Sequence, residues 1–408
     1  MVHGRDSKIF QFGDSNSIQY RLDEECKKVK TLFRRAVEKR ETYRHTESRK
    51  ESDMSNKLMR PIQLKGHERP ITQVKYNREG DLIFSTAKDH HICVWYSANG
   101  ERLGTYHGHR GTVWSVEVDN TTTYILTASA DLSGKLWSAE TGECIQTWNF
   151  ESPVKRVELS PDNKKLFFLT DNVMGQMGKI QIFNIDLSKG GNQETEPVLS
   201  IVNQGDASTK VTIATWSYDG KYILAGHADG SISKYDSQTG EELAHSTPFK
   251  NQVTDLQTSS DKTYFVASSK DQTAKLFDVE SWKQLKEYSS GSPVNAALIT
   301  PVKDFIILGG GQDARDVTTT SGSEGGFDAK IFHKIFEDEI GRIKGHFGPL
   351  NCLSIHPDGT SYVSGGEDGF IRLHHLPKSY FEFQYEVEKT AEALQHQSAN
   401  AENVEASA

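Results

Sequence analysis

The sequence predicts an all-β protein, a seven-bladed β-propeller, and three observations predict it. A ten-residue phrase recurs seven times along the 408 residues. An Asp stands six residues before an aromatic ring in four of the seven periods. A short segment ahead of the first phrase matches the strand that closes the other periods, and so supplies the last blade with its outer strand.

The phrases are ITQVKYNREG (71–80), VWSVEVDNTT (113–122), VKRVELSPDN (154–163), VTIATWSYDG (211–220), VTDLQTSSDK (253–262), VNAALITPVK (294–303) and LNCLSIHPDG (350–359). Their starts lie 42, 41, 57, 42, 41 and 56 residues apart, and nearly all carry apolar residues at places one, four and six. A period of about 40–45 residues is that of a WD-repeat propeller blade. Each phrase reads as the inner strand of a blade, with places four and six on one face by strand alternation and the polar tail turning into the second strand.

Further along each period come Asp89 and Trp95, Asp131 and Trp137, Asp229 and Tyr235, Asp271 and Phe277, while Asp368 and His374 keep the spacing with the ring changed. A Gly-His pair precedes three blades, at His67, His109 and His346, and Ser85, Thr127 or Ser364 stands four residues before the Asp. In the WD-repeat family, which this pattern resembles, these four groups form a buried hydrogen-bonded chain from Trp through Ser or Thr and His to Asp. A blade is a small sheet, and a polar chain with every member satisfied fixes how its loops close. The resemblance makes His67, Ser85, Asp89, Trp95, His109, Thr127, Asp131, Trp137, Asp229, Asp271, His346, Ser364 and Asp368 structural groups.

The segment RPIQLK (60–65) precedes Gly66-His67 as ERLGTYH (101–107) precedes Gly108-His109. It is therefore read as the outer strand of the last blade, which removes the open edge that invites aggregation. The propeller spans 59–385. Residues 1–58 lie outside the repeats, and 386–408 form a short helix (Glu386 to Leu394) followed by a disordered tail.

Net charge is −9, unevenly spread: residues 1–58 hold 14 Lys/Arg and 10 Asp/Glu, and the remainder holds 33 and 46. A surface so acidic repels a phosphate backbone, which argues against broad RNA binding by the propeller. Cys26, Cys93, Cys144 and Cys352 make no C-x-x-C pair, so neither a zinc site nor a disulfide framework is expected, and reduced cytosolic thiols are the plain reading. No apolar run reaches the length of a membrane span, and the N-terminus lacks the apolar stretch of a secretory signal. Within 1–58, Leu22, Cys26, Val29, Phe33, Ala36, Arg40 and Tyr43 follow alternating spacings of four and three, which is a stripe on a helix. It reads either as a coiled-coil or partner helix, or as a charge-rich helix that docks nowhere.

Catalytic motifs are not found. Gly309-Gly310-Gly311 lacks the Lys-Ser/Thr of a phosphate loop and reads as the end of a second blade strand. His90-His91 and His374-His375 are adjacent on strands, so their side chains point to opposite faces and do not converge on a metal. No enzyme activity, cofactor or direct small-molecule ligand is expected. The longest departures from the period are DNVMGQMGK (171–179) and 188–210 in blade three, read as tolerated insertions, and the polar loop 312–326 in blade six.

Blade six narrows the family. The stretch FIILGGGQDARDVTTTSGSEGGFDAKIFHKIFEDEIGRIKGHFGP (305–349) closely resembles the i subunit of eukaryotic translation initiation factor three. So do GHERPITQVKYNREGDL (66–82), PVKRVELSP (153–161), AGHADGSISKYD (225–236) and GGEDGFIRLHH (365–375). The resemblance implies a cytoplasmic, non-catalytic scaffold of a complex that promotes recruitment of initiator tRNA and mRNA to the small ribosomal subunit. It also implies contacts with the b and g subunits, with a partner helix docked on one side of the propeller; the sequence does not fix the contact residues, and blades five and six, with Asp255, Asp271, Lys303 and Asp304, are the candidates. Family members start at the equivalent of Met59, so 1–58 is either an extra arm or an upstream segment joined to the chain, the second being preferred. A G-protein β-like subunit shares the propeller but not the blade-six stretch, and a ubiquitin-ligase substrate receptor would expose a basic or aromatic pocket, which the acidic balance does not support.

Overall fold

The computed structural model describes residues 60–385 except 174–175, 203–208, 218, 260–262 and 313–325. The expected helix in 1–58 and the helix and tail in 386–408 lie outside the described residues. Within them are 28 strands, β1–β28 in chain order, forming seven four-stranded antiparallel sheets. Blade one is β2 (Ile71–Tyr76), β3 (Leu82–Ala87), β4 (Ile92–Tyr96) and β5 (Arg102–Tyr106). The next five blades repeat this order. The last takes β26 (Leu350–Ile355), β27 (Ser361–Gly366) and β28 (Ile371–His375), then β1 (Ile62–Leu64), which pairs Ile62 with Leu373 and Leu64 with Ile371.

The inner strands show why places one, four and six are apolar together. In all seven, the register with the second strand slips between places one and three, leaving place two as an extra residue. A bulge of one residue shifts the parity of alternation, so place one joins four and six on the same face. In β2 the result is Ile71, Val74 and Tyr76, all buried. Seven apolar clusters follow, each gathered mainly from two neighbouring blades; the one joining the ends of the chain contains Leu64, Ile71, Trp95, Leu373 and Cys352.

The extra residue at place two also ties blade to blade. Thr72, Thr212 and Thr254 donate through their hydroxyls, and Asn295 and Asn351 through their amides, to the carbonyl oxygen of place one in the next blade, at 2.5, 2.6, 2.7, 2.9 and 2.9 Å. Blades two and three break this circuit. Their place-two residues are Trp114 and Lys155, and the Lys155 ammonium lies 4.0 Å from the centre of the Trp114 ring.

After β28 the chain forms one short helix, α1 (Lys378–Glu382), which lies ahead of the expected helical stretch at Glu386. Tyr380 and Phe383 set their rings against Phe305 at centroid distances of 5.1 and 6.0 Å, so this segment covers blade six. The blade-three insertion likewise folds onto its neighbour. Trp148 of blade two donates its indole N–H to Glu194 O at 2.8 Å, while buried Gln193 donates to the carbonyls of Asp186 and Gly190.

Candidate functional site

Because each sheet is antiparallel, the turn from first to second strand and the turn from second to third lie at opposite ends of a blade. The second type, together with the loops that enter each inner strand, makes the upper face. The buried polar chains stand just beneath it. In blade one, His67 Nδ1 is 2.9 Å from Asp89 Oδ2 and Nε2 is 2.8 Å from Ser85 Oγ, which also accepts from Trp95 Nε1 at 2.9 Å. Asp89 further accepts from the backbone N–H of Glu68 and His91, which binds the entering loop to the turn. Blade two repeats this: His109 to Asp131 at 2.8 Å, to Thr127 at 2.7 Å, and Trp137 Nε1 to Thr127 at 2.8 Å.

The charges follow from the contacts. Burial alone pushes the His67 imidazole down, but Asp89 and the Cys93 thiol beside it hold it up at about 9. Burial raises the Asp89 carboxyl, and its bonds to His67 and to two backbone N–H groups bring it down to about 2. Asp131 lies well below the usual carboxylate range, because His109, Ser133 and the Arg110 N–H outweigh its burial. Blade one thus holds an ion pair rather than a neutral bond.

Blade seven has the same frame with a different filling. His346 is 3.1 Å from Asp368 and 2.8 Å from Ser364, but Arg372 also donates to Asp368 at 2.9 Å and bonds His346 Nδ1. His346 Nδ1 therefore lies between a donor, Arg372, and an acceptor, Asp368, where the other two blades offer only the acceptor. Burial, and the Arg372 charge, lower the His346 pKa in spite of Asp368. His374, at the Trp place, does not reach Ser364 but stacks on Tyr362 with centroids 4.6 Å apart and planes 3° from parallel.

Two expected members stand outside any such chain. Asp229 caps its own turn by accepting from the N–H and hydroxyl of Ser231 at 2.9 and 2.6 Å. No Gly-His pair precedes blade four; buried His227 lies 2.9 Å from both Thr209 O and Ser233 Oγ, and nothing in the spacing singled it out. Asp271 accepts from Lys250 N and from Thr273, but the places of His, Ser and Trp in blade five are Phe249, Ala267 and Phe277, with the outer two rings 6.4 Å apart. A carboxylate alone therefore does not signal the chain; it signals the turn.

The four candidate contact residues do not form one surface. Asp255 is 9% exposed in the channel wall, accepting from Leu256 N and Gln257 Nε2, with its carboxyl pushed up by burial; it is not at the rim. Asp271 is in an upper-face turn, between β19 (Tyr264–Ser269) and β20 (Thr273–Asp278). Lys303 and Asp304 are in a lower-face turn, between β22 (Val294–Ile299) and β23 (Phe305–Gly310), where Lys303 donates to Phe383 O and Asp304 pairs with Lys334. The upper face also presents Phe347, 85% exposed beside Arg372.

Among the described residues no group of three or more His, Cys, Asp and Glu is arranged to hold a metal, and no helix is long and apolar enough to cross a membrane. Comparison with known proteins gives the family. The β-propeller domain of Cps50 (Swd1) from Myceliophteria thermophila matches at a TM-score of 0.63 and 15% identity, covering 78% of this chain and 99% of that one, which shows the fold. Eukaryotic translation initiation factor 3 subunit I of Meyerozyma guilliermondii is 55% identical over 344 residues, covering 82% of this chain and 99% of the relative. That of Candida glabrata is 54% identical over 348 residues, covering 84% and 100%. The EIF3I family model matches residues 59–386, the whole ring from its closing strand to the segment after α1, and the chain belongs to the family of eukaryotic translation initiation factor 3 subunit I.

Proposed function

We propose that this chain is a non-catalytic, cytoplasmic scaffold of the initiation factor 3 complex, with the propeller at 59–385 as its working part. It holds peptide segments of the b and g subunits so that the complex promotes recruitment of initiator tRNA and mRNA to the small ribosomal subunit. The observation that carries this reading is the closed ring: β1 completes the last sheet, and apolar clusters join every neighbouring pair of blades. A surface that does not reorganise loses little entropy when a flexible peptide orders on it. The His and Asp groups of blades one, two and seven support the same reading, since their bonds are directed at buried partners and not at a shared cleft.

Because the candidate contacts fall on opposite faces, each face has its own variant. Asp304→Lys alters the lower face, Asp271→Lys the upper. Both are to be compared with wild type by thermal melting and by pull-down of the b and g subunits. We expect at least one variant to melt within about half a kcal/mol of wild type, as exposed substitutions do, while losing a partner. If both melt normally and capture both subunits at full strength, blades five and six do not dock them.

A further inference from the structure

The upper mouth of the central channel has a feature that neither the closed ring nor the polar chains use. At place two, five blades spend the side chain on the carbonyl of the next blade, and blades two and three do not. There, Trp114 and Lys155 stack on one another, and the Trp114 indole nitrogen has no hydrogen-bond partner among the described residues. A structural donor has been exchanged for a charged one where the circuit is broken.

Other lysines gather at the same level. Lys88, Asp171, Lys270 and Glu367 each follow a second strand and donate their backbone N–H to the residue just before an inner strand, so they occupy one ring around the mouth. Lys88 pairs with Glu367 at 2.9 Å. Lys155 and Lys210 share Asp171, at 3.4 Å to one oxygen and 3.6 Å to the other, with their side chains 34% and 38% exposed. Lys155 and Lys210 thus face one carboxylate between them, in a propeller whose remaining composition is strongly acidic. Deeper in the channel Glu158 and Asp255 face Lys75, Arg156 and the same Lys155.

We propose that this mouth, centred on Lys155 and Lys210, binds a carboxylate-bearing segment of a partner protein. Two ammonium groups around one shared carboxylate leave a place for a second. Beside them, and reached past Trp114, an opening of about 580 Å³ lined by Lys88 and Glu367 takes a few side chains. An extended phosphate chain would have to cross the acidic surface around it, whereas a short acidic peptide presents its charge only at the mouth.

The test uses the purified full chain and two fluorescein-labelled probes, a hexaglutamate peptide and a hexauridylate RNA, followed by anisotropy over a range of salt. The peptide should bind the wild-type chain in low salt and weaken as salt rises. Lys155→Glu/Lys210→Glu should weaken it by about tenfold or more, through like-charge repulsion. Lys155→Gln/Lys210→Gln, which removes charge without repelling Asp171, should show a smaller loss, and it carries the test if the first variant does not fold. Peptide binding that is equal in all three proteins, no peptide binding at about 1 mM protein, or tighter binding of the RNA each overturns the proposal. Because the assay holds no other subunit, its outcome is independent of whether the b and g subunits dock as proposed above.

Discussion

In blade two the second-strand place opposite Val116 is Thr127, bonded to His109 and Trp137; in blade three the same place, opposite Val157, is Phe168. Phe168 lies 5.1 Å from Phe150, 5.8 Å from Phe183 and 5.5 Å from Trp148 by ring centroid. Phe150 and Phe183 stand where blade two has His109 and Trp137. One blade is organised by directed bonds, the other by ring packing, and the strand registers are the same. The difference lies in what a partial change does. A polar chain that loses one member strands the rest in a buried site, whereas an apolar cluster that loses one ring is left with a cavity whose cost depends on how far its neighbours collapse.

The largest effect expected is on the element that both designs depend on. A chain lacking residues 1–66 loses β1 and with it the outer strand of the last blade, so it should elute as aggregate and lack a cooperative melt. A chain lacking only 1–58 should remain a monodisperse ring. Next is Phe168→Ala, which should cost about 3–5 kcal/mol, read from urea unfolding. The packing is tight from the other side too, since a Cβ at Gly134 of blade two would come within 2.3 Å of the Phe168 ring. Gly134→Ala should therefore destabilise in the wild type and be better tolerated beside Phe168→Ala.

Smaller is the loss expected for Asp131→Ala, about 1–3 kcal/mol for leaving His109 without its partner. It should appear as protease nicking near blade two before the whole ring opens. An unchanged melting temperature would mean that the carboxylate holds nothing there.

The smallest effect separates two polar blades by pH. A histidine raised on folding stabilises fully below its unfolded pKa and loses that contribution as pH rises through the folded one. For His67 the window of loss runs from about 6.5 to about 9. Asp89, lowered to about 2, keeps its contribution above about 3.9 and loses it on acidification. His346 is lowered, so its site is weakened on the acid side of its ordinary value and is untouched by alkali. Amide protection factors should therefore fall in blade one relative to blade seven between pH 6.5 and 9. Equal change in both would show that His67 is not charged in the fold.

Much of this was legible in the residues and some was not. The seven phrases locate every inner strand, because a bulge at a constant place turns three-dimensional parity into the one-four-six pattern of β2 and its repeats. The polar chains of blades one, two and seven could be read because His, Ser or Thr, and Asp have no cheaper reason to recur at fixed distances. Their apolar counterparts could not, since Phe150, Phe168 and Phe183 look like any core residues. Asp229 misled because an Asp that caps a turn keeps the same spacing with or without a histidine to hold. Asp255, Asp271 and Asp304 are near one another in the chain, yet antiparallel turns send the last two to opposite faces and the bulge turns the first into the channel. The place-two circuit was missed because Thr and Asn at the mouth act on a carbonyl 40 to 55 residues away or, at closure, 280.

The closing strand also sets a clock. Among the described strands β1 emerges from the ribosome first and its pairing partner β28 last, with roughly 300 residues between Leu64 and Ile371. At synthesis rates of about 5–20 residues per second, β1 waits about 15–60 s with its backbone unpaired. During that time blades one to six are complete sheets, and each can settle as it appears. No nascent chain that stops short of Ile371 has anything to receive β1. An interrupted product therefore carries a free strand at one end and an open sheet edge at the other, a mark by which the cell's folding machinery can tell it from a finished ring.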